Sequence, residues 1–517
     1  MTDRPSYYVT TPIYYVNDVP HIGHAYTTLA CDMLARFKRL DGYDVMFLTG
    51  TDEHGQKIER SAEKAGVDPQ AFCDRVSDRF KELAAAMNFS NDQFIRTTED
   101  RHKKAVQHLW KVLEEKGFIY EDSYSGWYSV RDEAFYAEKE LTVGEGGEKL
   151  APTGAPVEWV EEPSYFFKLS AFEDKLLELY DTQEDFVMPK SRLNEVRSFV
   201  KGGLEDLSIS RSSFKWGVPV PGHEGHVMYV WIDALANYLT AVGYPDEGAE
   251  AYKTYWPANV HMVGKDILRF HAVYWPAFLM AADLPLPKRV FAHGWWTNEG
   301  QKISKSLGNV IDPFELIDTY GLDPVRFFLM REVPFGNDGD FSRKSFVLRC
   351  NSELANGIGN LSQRTLSMIH KNCDGAIPTP GELTSEDKKL LSDIEATLDI
   401  VRGHMDKQAF NFALEAIFAQ ASAADSYISV QEPWKLKKTD PERMNTVLYV
   451  LADAIRQIAI MAQAIMPESM DKLLSQMNVT ERGFDQIGST HRIAPGTEIP
   501  KPEGVFPRFD LPEEDAA

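Results

Sequence analysis

His21-Ile22-Gly23-His24 stands where a β-branched and aromatic run, Tyr7 to Tyr15, gives way to apolar residues at helical spacing. After Pro20, Ile22, Leu29, Met33 and Phe37, with Ala30 and Leu34 beside them, keep the helical period until Gly42 supplies a stop. A second strand, Tyr43 to Leu48, follows directly. Strand, turn, helix and strand within about fifty residues predict a βαβ unit of an α/β, Rossmann-type doubly wound parallel sheet, whose ligands sit at the carboxyl ends of the strands. The two histidines then lie at a helix N-terminus, where free backbone N–H groups and the helix dipole favour phosphate. On this stretch alone three readings stand: phosphate donors, a polar helix cap, or a pair of zinc ligands at i and i+3.

The rest of the chain narrows the choice. With 517 residues, 43% of them hydrophobic, it can bury several cores, and two to four domains are expected. A formal charge of −23 argues against a general nucleic-acid-binding surface, so such a partner must be met by local basic patches and shape. Cys31, Cys73, Cys350 and Cys373 stand far apart, which fits buried thiols in a reducing compartment and offers no zinc framework. The N-terminus has no apolar leader, and no run approaches the roughly 18 apolar residues of a membrane span. A cytoplasmic protein without membrane contact is expected.

Thr49-Gly50-Thr51-Asp52-Glu53-His54-Gly55 closes the second strand. Asp52 there could hold an ammonium group or simply cap the helix starting near Gln56. Helices Pro69 to Met87 and Glu99 to Lys116 would flank the sheet, completing a first catalytic half over residues 1–116. From Gly117 to about Gly225, aromatics, glycines and short strand-like runs predict an inserted domain. The sheet pattern resumes over 226–293, with Tyr229 to Ala234 ahead of Tyr238, a strand Val260 to Val263 meeting Gly264-Lys265-Asp266, and a helix Ile267 to Ala281 carrying His271 and Trp275 on the Ile267 face. Trp231, Tyr238 and Trp275 could line a pocket for an unbranched apolar group or be plain core.

Gly300-Gln301-Lys302-Ile303-Ser304-Lys305-Ser306-Leu307-Gly308-Asn309 is a cationic loop suited to the phosphates of a nucleotide, or a solvated charge pair. Together with His21-Ile22-Gly23-His24 it resembles the paired HIGH and KMSKS signatures of class I aminoacyl-tRNA synthetases, the second reading KISKS here. Pro12-Ile13-Tyr14-Tyr15, Gly50 to Gly55, Trp231-Ile232-Asp233-Ala234, Gly264 to Ile267 with Phe270-His271, and His293-Gly294 extend the resemblance, over nearly the whole chain, to the methionyl-tRNA synthetase family. That resemblance implies a ligase that activates methionine with ATP and Mg2+ to methionyl adenylate and transfers it to the 3′-terminal adenosine of tRNA(Met), initiator and elongator. It assigns ATP to His21, Gly23, His24, Lys302, Ser304, Lys305 and Ser306, with His21, His24, Lys302 and Lys305 catalytic. Methionine falls to Ile13, Tyr15, Asp52, Trp231, Ala234, Leu235, Tyr238, Ile267, His271 and Trp275. Leu235 stands where some members have proline.

Residues 294–348 would form the loop and stem-contact region. Beyond Arg349 the period is helical: Leu390, Ile394, Leu398, Val401 and Met405 form one stripe, Phe412, Leu414, Ile417 and Phe418 a second, Val447, Leu451, Ile455, Ile458 and Met461 a third, so a bundle over 349–517 is expected. The resemblance makes it the reader of the CAU anticodon through Asn360, Arg364 and Trp434. An indole can stack on an unpaired base, although Trp434 could equally staple two helices. Lys435, Lys437 and Lys438 would add a basic patch.

Many relatives carry zinc on cysteine knuckles in the insertion, but residues 126–141 contain no cysteine, so no metal site and no zinc are expected. The C-terminal end leaves no room for an appended dimerising domain, which predicts a monomer. Leucyl, isoleucyl and valyl enzymes would need a larger inserted editing domain, and a cysteinyl enzyme its zinc cysteines. A short nucleotidylyltransferase would lack the bundle. A catalytically silent tRNA-binding paralogue is the non-enzymatic alternative.

Overall fold

The computed structural model describes residues 4–16, 19–144, 146–303 and 308–511. Its central sheet contains β1 (Ser6–Thr10), β2 (Tyr14–Tyr15), β3 (Asp44–Asp52), β4 (Gln93–Arg96), β5 (Val187–Met188), β6 (Val260–Gly264) and β7 (Val290–His293). All pairings are parallel, in the order β5-β7-β6-β1-β3, with β2 and β4 both on β3. Helices α1 (Ile22–Leu40), α2 (Gln56–Ala65), α3 (Pro69–Ala86) and α4 (Asp100–Glu115) flank it. β3 is buried at every position after Asp44, as a strand covered on both faces must be.

The run Tyr7 to Tyr15 forms two strands, because Pro12 has no N–H to give a ladder and Thr11 turns its hydroxyl onto the Pro12 carbonyl. That break lets the chain pass Ile13 across the strand ends. α1 ends with Asp41 as its cap, and Gly42 follows at φ +86°, a conformation that costs glycine nothing. β3 runs on past Leu48 to Asp52, paired with β2 and β4, so Asp52 is fixed on a strand end.

Between the sheet halves, the hairpin Ile119–Ser129 and Glu158–Phe167 pairs antiparallel, with Ala134–Tyr136 and Leu207–Ser208 at its edges. Not all of 117–225 belongs to this insertion, since β5 joins the central sheet beside β7. Tyr229 to Ala234 adds no strand; Val230–Leu235 is a short helix. The expected continuous helix from Ile267 is a 3-10 turn at Lys265–Ile267, a π-helix at Phe270–Tyr274 and an α-helix at Trp275–Ala281.

The C-terminal region contains α5 (Leu322–Arg331), α6 (Asn360–Asn372), α7 (Ser385–Met405), α8 (Phe410–Gln431), α9 (Pro433–Thr439), α10 (Pro441–Ala462) and α11 (Pro467–Gln476). The three apolar stripes are buried except for Phe412, which is 46% exposed. α8 is apolar on most of its circumference, so periodicity alone misassigns that one position. α10 opens with Asp440 accepting the Arg443 N–H and Pro441 in its first turn. It is the one described helix long and apolar enough to cross a membrane, contrary to the expectation that no run approaches that length, yet 94% of that window is buried inside the protein. One apolar core runs from the α1 face of the sheet through α5 into the bundle, and a second covers the opposite face. Cys373, expected to be buried, is half-exposed, its thiol facing Asn445.

Candidate active site

A cavity of about 610 Å³ opens at the carboxyl ends of β1, β3, β6 and β7. Ile13, Tyr15, His21, Gly23, His24, Asp52, Trp231, Ala234, Leu235, Tyr238, Ile267 and His271 all face it.

His21 caps α1. Its Nδ1 accepts the Gly23 N–H at 3.1 Å, and the Nδ1 of His24 accepts the His21 N–H at 3.1 Å. With both Nδ1 atoms used as acceptors, each neutral ring carries its proton on Nε2 and offers it as a donor. Burial pushes the His24 pKa well below its ordinary value, with His21 adding to the shift. The His21 pKa is lowered too by desolvation on its cavity side, opposed by Asp266, although the residue as a whole is exposed. The cap therefore selects the tautomer and desolvation favours the neutral form, so the two rings offer N–H donors at a helix N-terminus. A Cβ at Gly23 would lie 2.9 Å from His21 Cε1. Gly23→Ala should displace that ring and weaken any chemistry that uses its N–H donor about 100-fold, with little change in melting temperature, as single-turnover kinetics and calorimetry would show.

Asp52 is only 6% exposed, and its Oδ1 has no hydrogen-bond partner among the described residues. Desolvation raises its pKa well above the carboxylate range, reinforced by Asp233 and Glu133, while the His54 backbone bonds the carboxylate and opposes the shift. Asp233 differs. Burial alone would raise it, but His54 Nδ1 at 2.6 Å and His102 Nε2 at 2.8 Å hold it down to about 2. One buried carboxylate is satisfied by imidazoles; the other keeps an oxygen without a partner among the described residues.

An aromatic pocket opens on the same cavity. Trp231 stacks on Phe270 with centroids 3.6 Å apart and rings 7° from parallel. Tyr238 donates its hydroxyl proton to His271 Nε2 at 2.7 Å, and His271 Nδ1 donates to the Ile267 carbonyl at 2.9 Å. Burial lowers the His271 pKa to about 4, so the ring is neutral.

Trp275 does not face the cavity. The π-helix before it adds a residue to one turn and rotates Trp275 off the Ile267 face; its indole N–H instead donates to His261 Nε2 at 3.3 Å, behind the wall. Phe270 and Tyr274 line the cavity in its place. Glu133, from the insertion, lines it too. It accepts the Tyr15 hydroxyl at 3.0 Å and the Lys57 N–H at 2.9 Å, so the insertion sets one pocket wall. A π-turn has no periodic signature, and 118 residues separate Glu133 from Tyr15, so only the motif neighbours of His271 could have signalled Phe270.

Lys302 lies on the exposed strand Gln301–Lys302, outside the cavity lining. Ser304, Lys305 and Ser306 lie outside the described residues. In the bundle, Asn360 is exposed at the start of α6, and Arg364, one turn on, holds its guanidinium 5.6 Å from the ring of Trp434 on α9. Trp434 is 42% exposed, and Arg364 also pairs with Asp425 at 3.3 Å. Lys435 pairs with Glu432. Among the described residues no group of three or more His, Cys, Asp or Glu side chains could hold a metal ion.

A doubly wound sheet with this capped histidine turn over a strand-end cavity defines the catalytic domain of a class I aminoacyl-tRNA synthetase, and the family model "tRNA synthetases class I (M)" matches residues 7–366. A second, "Anticodon binding domain of methionyl tRNA ligase", matches residues 377–516. The chain belongs to the methionyl-tRNA synthetase family. It is 57% identical to the methionine–tRNA ligase of Mesorhizobium japonicum over 98% of both chains, and 56% identical to that of Rickettsia bellii over 98% of this chain and 99% of the relative. Mycobacterium tuberculosis methionyl-tRNA synthetase in complex with methionyl-adenylate superposes with a TM-score of 0.95 at 53% identity, covering 98% of this chain and 100% of the other.

Proposed function

We propose that this protein is a methionine–tRNA ligase that works in two steps at the strand-end cavity. The observation that carries this reading is Asp52, a buried carboxylate with one unpartnered oxygen, lining one cavity with an aromatic pocket and two imidazole donors. The methionine ammonium pairs with Asp52 and its side chain fills the pocket of Tyr15, Trp231, Tyr238 and His271, where a thioether packs well against rings. The methionine carboxylate attacks the α-phosphorus of ATP, the bond to the β-phosphate breaks, and methionyl adenylate and pyrophosphate form. A carboxylate nucleophile has no proton to lose, so catalysis is positioning and charge stabilisation. His21 and His24 donate Nε2–H to the phosphates, and Lys302 and Lys305 approach from the KISKS loop. Magnesium would ride on the nucleotide, which suits an ion that keeps most of its water. The terminal adenosine hydroxyl of tRNA(Met) then attacks the activated carbonyl and AMP leaves. We read the protein as a zinc-free cytoplasmic monomer; metal analysis and sedimentation test this.

ATP–pyrophosphate exchange with methionine, leucine, isoleucine, valine or cysteine, without tRNA, tests the reading. Exchange driven by methionine alone is expected; exchange driven by another amino acid would move the pocket to a different template, and silence with all five would favour a tRNA-binding paralogue. On the bundle, Asn360, Arg364 and Trp434 present an amide, a guanidinium and an indole to the CAU anticodon. Trp434→Ala should raise the KM for tRNA(Met) about 10-fold through lost base stacking. An unchanged KM with a lowered melting temperature would make Trp434 a helix staple instead.

A further inference from the structure

Arg326, on α5, is completely buried and uses its whole guanidinium fork. Nε donates to the Ile465 carbonyl at 2.8 Å, Nη1 to the Met87 carbonyl at 2.9 Å, and Nη2 to Asp32 Oδ2 at 2.6 Å and the Ala464 carbonyl at 3.3 Å. Asp32 is equally buried, in the middle of α1, and also accepts the Ser90 N–H and Arg36 Nε. Ala464 and Ile465 form the turn that leaves α10.

Two rods therefore meet at one side chain. α1 runs from Asp32 back to His21, about 16 Å at 1.5 Å per residue. α10 has 22 residues and is about 33 Å long; at its far end the single residue Asp440 joins it to α9, which carries Trp434. The bundle also grips the end of α1 through Lys38 to Asp406 at 2.7 Å and Arg402 to Asp41 at 2.6 Å. Asp406 and Arg402 are partly exposed, so those pairs are weak. A buried pair cannot be broken so cheaply, because the partner left behind is an unpaired charge in the core.

We propose that Arg326 is a positioning residue that joins the anticodon-reading bundle to the helix presenting His21 and His24, so that engagement of Trp434 is felt at the phosphate donors. This rests on the proposed function. It acts through Asp32 and touches no substrate.

Arg326→Lys keeps the charge and loses the fork. Three quantities are read on the full-length protein: tRNA-free exchange with methionine, aminoacylation of tRNA(Met), and aminoacylation of the same tRNA with an altered anticodon. Exchange should stay within about threefold of the parent, while the kcat advantage of the CAU anticodon falls about tenfold or more and the KM for tRNA holds. If the coupling runs through Arg326, Trp434→Ala should lower kcat for tRNA(Met) in the parent as well as raising KM, and should leave kcat unchanged in the Arg326→Lys background, a non-additivity that a purely structural role would not produce. A preserved anticodon advantage, additive double variants, or exchange and aminoacylation falling in parallel would each overturn the proposal. Should Arg326→Lys fail to fold, Asp32→Asn makes the same test from α1. Absence of methionine-driven exchange in the parent protein would instead overturn the proposed function.

Discussion

Asp52→Asn is expected to lower kcat/KM for methionine in ATP–pyrophosphate exchange about 100- to 1000-fold, because an amide cannot replace a charge-assisted bond to an ammonium inside the cavity. The pH dependence has a definite sign. In the ligand-free protein the Asp52 pKa stands well above the carboxylate range through desolvation, Asp233 and Glu133. The methionine ammonium favours the ionised form, so methionine binding weakens as pH falls through that raised pKa, and binding at low pH releases a proton from the protein. KM for methionine should rise on the acid side with kcat at saturation much less affected, and Asp52→Asn should flatten that limb. The same group sets a stability sign. Its folded pKa is raised, so the folded state binds the extra proton and Asp52 costs stability at pH values above that pKa. Asp52→Asn should therefore raise the melting temperature of the ligand-free protein at neutral pH while removing activity. A variant with normal KM and unchanged stability would show that the ammonium lies elsewhere.

His24→Ala is the second large effect. The neutral Nε2–H of His24 is preorganised by its capping bond to His21 and by its half-buried place beside Tyr14, rings 4.8 Å apart. Removing one preorganised donor to a developing phosphate charge costs about 100- to 1000-fold in the chemical step. Single-turnover adenylate formation should slow by that factor while methionine binding, measured by calorimetry, holds. The protonation state adds a sharper test. Burial keeps His24 neutral, so kcat at saturating methionine should not decline as pH rises through 6.5. A decline there that disappears in the alanine variant would mean an imidazolium donor.

Much of the architecture was legible in the chain because it is written in local periods. Ile22, Leu29, Met33 and Phe37 mark α1; Val260 to Val263 marks a covered strand; Leu390 to Met405 marks a bundle helix, and the structure has two helices and a strand at those places. Asp52 was legible as a strand-end carboxylate, although its sequence alone does not distinguish a cap from an ammonium partner. The fold takes the cap away from Asp52, since Gly55 is the N-cap of α2, and leaves Asp52 buried with one oxygen unpartnered among the described residues.

Local periods and motifs were enough for the parallel sheet, the place of the histidine turn at a helix start, the helical C-terminal region and the family, while the cap bonds of His21 and His24 came from the fold. Only the tertiary structure decided which aromatics face the cavity, since one π-turn at Phe270–Tyr274 exchanges Trp275 for Phe270 and Tyr274 without altering the spacing of any motif. Only it brought Glu133 to Tyr15 and Arg326 to Asp32, 118 and 294 residues apart. Helix and strand periods record which face of an element is apolar. They carry no record of which buried polar group from a distant segment satisfies another, because that pairing is set by how the elements pack.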